Sequence, residues 1–274
     1  MDPQPVSRTP RQTTSWRWPL IGTIIAIAVS AFMDLIGISN FNVLPLIPLF
    51  FVLWYLQHLS RVEIGLTWGQ LRDYALAVLY PLLALALIGL IAWLSGAATF
   101  GRINWASTVG NLVLQLVLTI AFAIVTEEGI FRGWLWASLQ RAGVSEVRVI
   151  ALTAVAFAAW HLPDVLLPTD FRPPAAQAPV YILNVVAIGI IWGLMRKWSG
   201  SIVVTSVSHG VWNAFTYVLF GVGATTGALG IHNTALFGPE VGLVGLGVNV
   251  ALAAVLWLGS NRGRAVQAMG MTGP

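Results

Sequence analysis

The stretch NLVLQLVLTIAFAIVTEEGIFRGWLWASLQ, Asn111 to Gln140, decides how this chain is read. It is longer than the roughly 20 apolar residues that carry a helix across a bilayer. Glu127, Glu128 and Arg132 interrupt it in the middle. An ionisable side chain inside a span costs on the order of several kcal/mol, so each is a functional candidate by default. Arg132 follows Glu128 by four residues, which puts the two on one helical face where they can pair. Glu127 is rotated about 100° away and cannot share that bond as easily. Adjacent carboxylates repel, so the pairing leaves Glu127 as the free carboxylate, the kind of group a general base requires. A salt bridge that only locks packing accounts for Glu128 and Arg132 and leaves Glu127 unexplained.

Composition places this stretch in its setting. Of 274 residues, 57% are hydrophobic and 9% charged, with a mean hydropathy of +0.81. Soluble domains carry roughly a quarter charged residues, so a soluble enzyme, a disordered chain and a secreted disulfide scaffold are all excluded. Cysteine is absent, which removes disulfides, thiolate metal sites and cysteine nucleophiles. The net charge of +4 belongs to short loops that orient spans, and no nucleic-acid partner is expected. Hydropathy predicts spans near 18–38, 42–59, 74–95, 108–139, 146–163, 179–197, 201–220 and 238–259. The fold class is therefore all-α, a polytopic membrane protein of about eight transmembrane helices around a polar cavity. The expected organisation is a cytoplasmic tail over 1–17, one membrane domain over 18–259 with its motif-bearing core at 108–220, and a cytoplasmic tail over 260–274. The first apolar run is too long for a signal-peptide core, and it is expected to stay in the mature protein. Trp16, Trp18, Trp93, Trp105, Trp198 and Trp257 fall near span ends, as an interfacial belt requires.

Loop charge tests this count. With the N-terminus inside, Arg8, Arg11, Arg17, Arg61, Arg72, Arg141, Arg148, Arg196, Lys197, Arg262 and Arg264 are cytoplasmic, while Arg102 and Arg172 lie outside. That asymmetry predicts a multi-pass protein with both termini cytoplasmic, in the plasma membrane if the chain is prokaryotic, as its short loops indicate. Residues 61–73 read as an interfacial helix, and the Pro-rich 163–179 and Gly/Thr-rich 221–237 as loops. Asp34 and His58 read as interfacial residues, and His232 as a loop residue with no partner.

Two further spans carry polar residues. AVAFAAWHLP places His161 deep in apolar sequence with Phe157 one turn earlier, and SIVVTSVSHGVWNAF places His209 and Asn213 one turn apart on one face. Each histidine alone could simply bond a backbone carbonyl. Together with the acidic pair they supply a carboxylate base, two imidazoles and an amide donor, enough to activate water and stabilise an oxyanion. Two chemistries fit. In one, Glu127 and His161 polarise water directly while His209 and Asn213 steady the oxyanion. In the other, Glu127, His161 and His209 bind zinc and leave a position open for water, although the HExxH spacing is absent. Trp134, Trp160 and Trp212 flank the three motifs, as cavity lining or as packing.

The motifs Glu127-Glu128-x-x-x-Arg132, Phe157-x-x-x-His161 and His209-x-x-x-Asn213, in this order on separate spans, resemble the signature of the CAAX-protease and bacteriocin-processing family, which includes the Ras-converting CAAX prenyl protease. The resemblance covers Glu127 to Asn213 and implies a helical bundle with a polar cavity. It implies that Glu127 is the catalytic glutamate, His161 its partner in activating water, and His209 with Asn213 the oxyanion pair. Glu128 and Arg132 are then the supporting ion pair, with Phe157 beside them. The partners it implies are membrane lipid and a membrane-associated or prenylated peptide. Some members are linked to bacteriocin immunity or scaffolding, so a non-catalytic membrane protein is a second reading. A proton-relaying transporter is a third, but it predicts symmetry between halves, and no internal repeat is visible.

Overall fold

The computed structural model describes residues 15–270 apart from 100, 102, 168, 170 and 224, with side chains as far as residue 260. Most of the expected N-terminal tail, the chain end after 270, and Arg8, Arg11 and Arg102 lie outside the described residues. Eight helical segments are long and apolar enough to cross a membrane: Arg17–Leu35, Ser39–Leu56, Leu71–Leu94, Trp105–Arg141, Glu146–Leu166, Ala178–Ser199, Ile202–Phe220 and Leu243–Ser260. These are the eight predicted spans with their ends moved by a few residues, and the chain is an all-α polytopic membrane protein. Sheet among the described residues is confined to a hairpin of two-residue strands, Gly221–Val222 and Thr225–Thr226.

The helices are α1 (Arg17–Leu35), α2 (Leu46–Leu56), α3 (Arg61–Ile64), α4 (Leu71–Leu94), α5 (Trp105–Val125), α6 (Trp136–Arg141), α7 (Glu146–Trp160), α8 (Leu162–Leu166), α9 (Ala178–Ser199), α10 (Ile202–Phe215), α11 (Thr234–Phe237) and α12 (Leu243–Gly270). Their outer faces carry exposed Leu83, Leu87, Val113 and Val117, because lipid rather than water surrounds them. Small residues set the inner contacts. A Cβ on Gly189 of α9 would stand 3.0 Å from the Ala154 Cβ of α7, and one on Gly193 would stand 3.1 Å from Ile150. Such close backbone approach is how membrane helices gain packing without a hydrophobic drive between them.

Local chemistry sets the starts and stops that place the site. Ser201 caps α10, accepting from the amides of Val203 and Val204 at 3.1 and 3.3 Å, while its own hydroxyl donates to the Thr67 carbonyl. Gly200, in the left-handed region at φ 65°, ends α9 just before it. Residues 61–73 do not form the expected interfacial helix. Ser60 and Glu63 build a capping box that starts α3, but Gly65 at φ 81° stops it after one turn. Likewise 163–179 opens with the single turn of α8 before becoming loop. Asp34, one residue before the end of the first span, is 2% exposed; the chain after α1 folds back and brings the Asn42 amide to its Oδ1 at 3.2 Å. His58 is exposed. His232 has a partner, the Thr99 hydroxyl at 2.9 Å from its Nε2.

One end of the bundle gathers the basic side chains. Arg141 bonds both carboxylate oxygens of Glu63 at 2.7 and 2.8 Å, Arg196 donates to the Glu63 carbonyl at 2.9 Å, and Lys197 reaches Glu146 at 2.7 Å.

The fourth span is not one helix. At Thr126, with φ −117° and ψ −105°, α5 stops; the Thr126 hydroxyl turns back to the Phe122 carbonyl at 2.8 Å. The chain restarts as a π-helix over Glu128–Leu135 and continues as α6. Within it Arg132 Nη1 donates to Glu128 Oε1 at 3.1 Å, with both side chains wholly buried. The guanidinium lies over the Phe157 ring at 4.2 Å and bonds the Gly189 carbonyl at 3.4 Å, so this pair joins the fourth span to α7 and α9.

Removing one member of a buried pair strands the other, at a cost of about 3–5 kcal/mol. Arg132→Ala is expected to lower folded yield and the thermal midpoint in detergent, and Glu128→Met with Arg132→Met together to recover part of the loss; unchanged stability in Arg132→Ala would count against the pair. A second check concerns α1. A side chain at Gly22 would enter the buried Trp134 indole, so Gly22→Leu is expected to lower the midpoint by an overpacking cost of about 1–3 kcal/mol.

Candidate active site

Glu127 stands directly after the helix break, and its Oε2 lies 3.7 Å from His209 Nε2 and 4.0 Å from His161 Nε2. The three spans that carry the motifs thus bring their chemistry to one place. The break at Thr126 turns Glu127 into the bundle, α7 ends so that His161 caps it, and the Ser201 cap sets His209 two turns into α10. Glu127, His161, His209 and Asn213 line one cavity of about 60 Å³, with Tyr217 and Glu240.

Each imidazole is held from behind by a carboxylate. His161 Nδ1 lies 2.8 Å from Asp164 Oδ2 and 3.0 Å from the Tyr181 hydroxyl. His209 Nδ1 lies 3.2 Å from Glu128 Oε1, the same oxygen that receives Arg132. On His161 a carboxylate at Nδ1 keeps the proton there and leaves Nε2 with its lone pair facing the cavity. Aromatic rings fix both orientations. Phe157 meets His161 edge-on at 4.7 Å between centroids, and Trp192 stacks on His209 at 4.3 Å. Phe157 thereby carries the Arg132 guanidinium on its face and His161 at its edge.

The three motif tryptophans divide. Trp212 lines the cavity; Trp134 and Trp160 are buried in packing, Trp134 against Gly22 and Trp160 against Phe131.

Three groups at the site escaped the sequence reading. Asp164 sits three residues after His161, a spacing that would have marked it had 163–179 not been read as loop. Tyr181 lies near the start of α9 with no motif around it. Glu240 was included in an apolar span, where an acid should have drawn notice; Trp212 Nε1 donates to its Oε1 at 3.3 Å. Burial pushes the Glu240 carboxyl up to about 7, against the pull of that bond and of the two histidines.

Ligands sharing one zinc at 2.0–2.2 Å stand roughly 3.4 Å apart, closer than Glu127 stands to either imidazole. Among the described residues no group of three or more His, Asp or Glu is arranged to hold a metal ion.

No curated protein matches the chain. The family model described as type II CAAX prenyl endopeptidase Rce1-like matches residues 109–215, a stretch that runs from α5 to the end of α10 and contains all three motifs. The match bears out the resemblance drawn from those motifs and supports an intramembrane protease of the CAAX type. Residues 109–215 of this multi-pass membrane protein are accordingly similar to the Rce1-like family of type II CAAX prenyl endopeptidases.

Proposed function

We propose that the protein is an intramembrane endopeptidase that hydrolyses a peptide bond of a membrane-embedded or lipidated peptide, a prenylated one included, without a metal. The observation that carries this reading is a carboxylate set between two imidazole Nε2 atoms at 3.7 and 4.0 Å. Those separations are too long for a direct hydrogen bond and short enough for one water to span. Glu127 takes a proton from that water as general base, and His161 Nε2 accepts its other hydrogen and aims the oxygen at the carbonyl carbon. His209 and Asn213, one turn apart on α10, face the oxygen on which charge develops. Asp164 and Tyr181 hold His161, while Glu128, Arg132 and Phe157 hold His209 and His161 in place.

The domain organisation follows the same reading: one membrane domain over 18–259 with its working core at 108–220. The gathering of basic side chains at one end supports placing that end, and both termini, in the cytoplasm, with the plasma membrane as the location for a prokaryotic chain. In the competing reading the chain is a non-catalytic scaffold or immunity protein, and its buried polar network is architecture.

The deciding experiment compares peptide termini in membranes containing wild type or Glu127→Gln at matched expression. General-base catalysis is worth about 10²–10⁴-fold, so termini present with the wild type and lost in the folded variant are expected. Matching sets of termini would put the scaffold reading first. Elemental analysis tests the metal-free form: stoichiometric zinc that disappears in His209→Ala would replace it with the zinc-dependent one.

A further inference from the structure

Glu240 lies outside the matched stretch and outside all three motifs, yet the structure spends three helices on placing it. Tyr80 of α4 donates to Asn249 of α12 at 2.9 Å, and Asn249 donates to Asn184 of α9 at 2.9 Å. Asn184 in turn donates to the carbonyls of Pro239 and Glu240 at 2.7 and 3.0 Å. Tyr80, Asn184 and Asn249 are each at most 4% exposed. Tyr80 also stacks on Trp212, whose Nε1 holds the Glu240 carboxyl. A buried polar chain of this kind costs stability unless every member is satisfied, and here its far end is the backbone of one acidic residue.

That residue stands at a junction. It lines the cavity with Glu127, His161 and His209, and it also lines an adjoining cavity of about 150 Å³ whose wall includes Gln177, Thr216, Thr225 and Thr234. A peptide lying from the polar outer cavity into the inner one passes Glu240. The charged and titratable groups facing it are His161 at the end of α7, Asp164 from α8, Tyr181 from α9, His209 from α10, Tyr217 just after α10, and Glu127, with Arg172 in the wall of the adjoining cavity. Each histidine has a carboxylate behind its Nδ1, and in the hydrolytic reading His161 Nε2 serves the attacking water and His209 the oxyanion, so neither is left over to act as a separate acid.

Building on the hydrolytic reading, we infer that Glu240 is the general acid that protonates the departing amine. The atoms balance as follows. Water gives one proton to Glu127 as its oxygen bonds the carbonyl carbon and the carbonyl pair moves onto oxygen. When that pair returns, the C–N bond breaks and its electrons take the proton of the Glu240 carboxyl, releasing an amine and a carboxylic acid. The proton on Glu127 then passes to the Glu240 carboxylate and restores both. A carboxyl that titrates near 7 is still protonated in half its copies at neutral pH, whereas an ordinary glutamate is almost wholly ionised.

The test compares two probes in vesicles: a peptide with a farnesylated cysteine followed by three residues, and the same peptide with the scissile nitrogen replaced by sulfur. A thiolate, with a parent pKa of about 8.5, leaves without a proton donor, and the protein has no cysteine to add background to a thiol assay. Glu240→Gln is expected to slow the amide by about 100-fold or more while leaving the thioester within about threefold. It is also expected to abolish the fall in amide kcat/KM that wild type shows as pH rises through about 7. Equal slowing of both probes would make Glu240 a structural or binding residue, and no slowing of either would make it idle; each overturns the inference while Glu127→Gln remains inactive. If wild type cleaves neither probe better than Glu127→Gln, the hydrolytic reading falls and takes the inference with it.

Discussion

The buried pair of Glu128 and Arg132 is the constraint on which the rest depends. Two charges at zero exposure in a low-dielectric bundle each forfeit several kcal/mol of hydration, which only close partners offset. Those partners come from every motif-bearing element: His209 on α10, the Phe157 face on α7, and the Gly189 carbonyl on α9. Arg196 adds a bond from its Nε to the Arg132 carbonyl at 3.0 Å. The pair is not saturated, since among the described residues Arg132 Nε has no hydrogen-bond partner. Its geometry is nonetheless over-determined, and Glu127, the next residue along, inherits that rigidity. Glu127 and the ion pair that positions it are thus encoded in six consecutive residues.

Much of this was legible in the sequence because membranes make it so. Lipid accepts no unpaired backbone and few charges, so eight apolar runs could be counted and the polar residues inside them stood out. Glu127, His161, His209 and Asn213 were found that way, and they meet. What the sequence hid was whatever depends on where loops return. The burial of Asp34 was not legible because nothing local announces that Asn42 folds back over it. Asp164 and Tyr181 act on His161 through a turn and a helix that carry no motif. The break at Thr126 was invisible too, because threonine, valine and alanine around it are compatible with an unbroken helix, and tertiary contacts override that preference.

The two halves of the site have different origins. The inner half, from Glu127 to Asn213, lies within the Rce1-like stretch. The outer half is built from α4, α12 and the segment at Pro239, none of which that stretch contains, and it is assembled by side-chain amides rather than by ions. Asn184, on α9, is the residue in which the two halves meet, since its helix belongs to the first and its bonds to the second.

The size of the inner cavity has a consequence for any peptide that enters it. About 60 Å³ holds a few waters or a short piece of extended backbone, whereas an intact helix is about 10 Å across with its side chains. A peptide cannot reach Glu127 while coiled. It must first give up several internal hydrogen bonds, which in hydrocarbon has no compensation and in the threonine-lined outer cavity does. Selection would then act on how readily a segment unwinds beside that mouth, favouring extended tails and frayed helix ends over well-formed spans whatever their side chains.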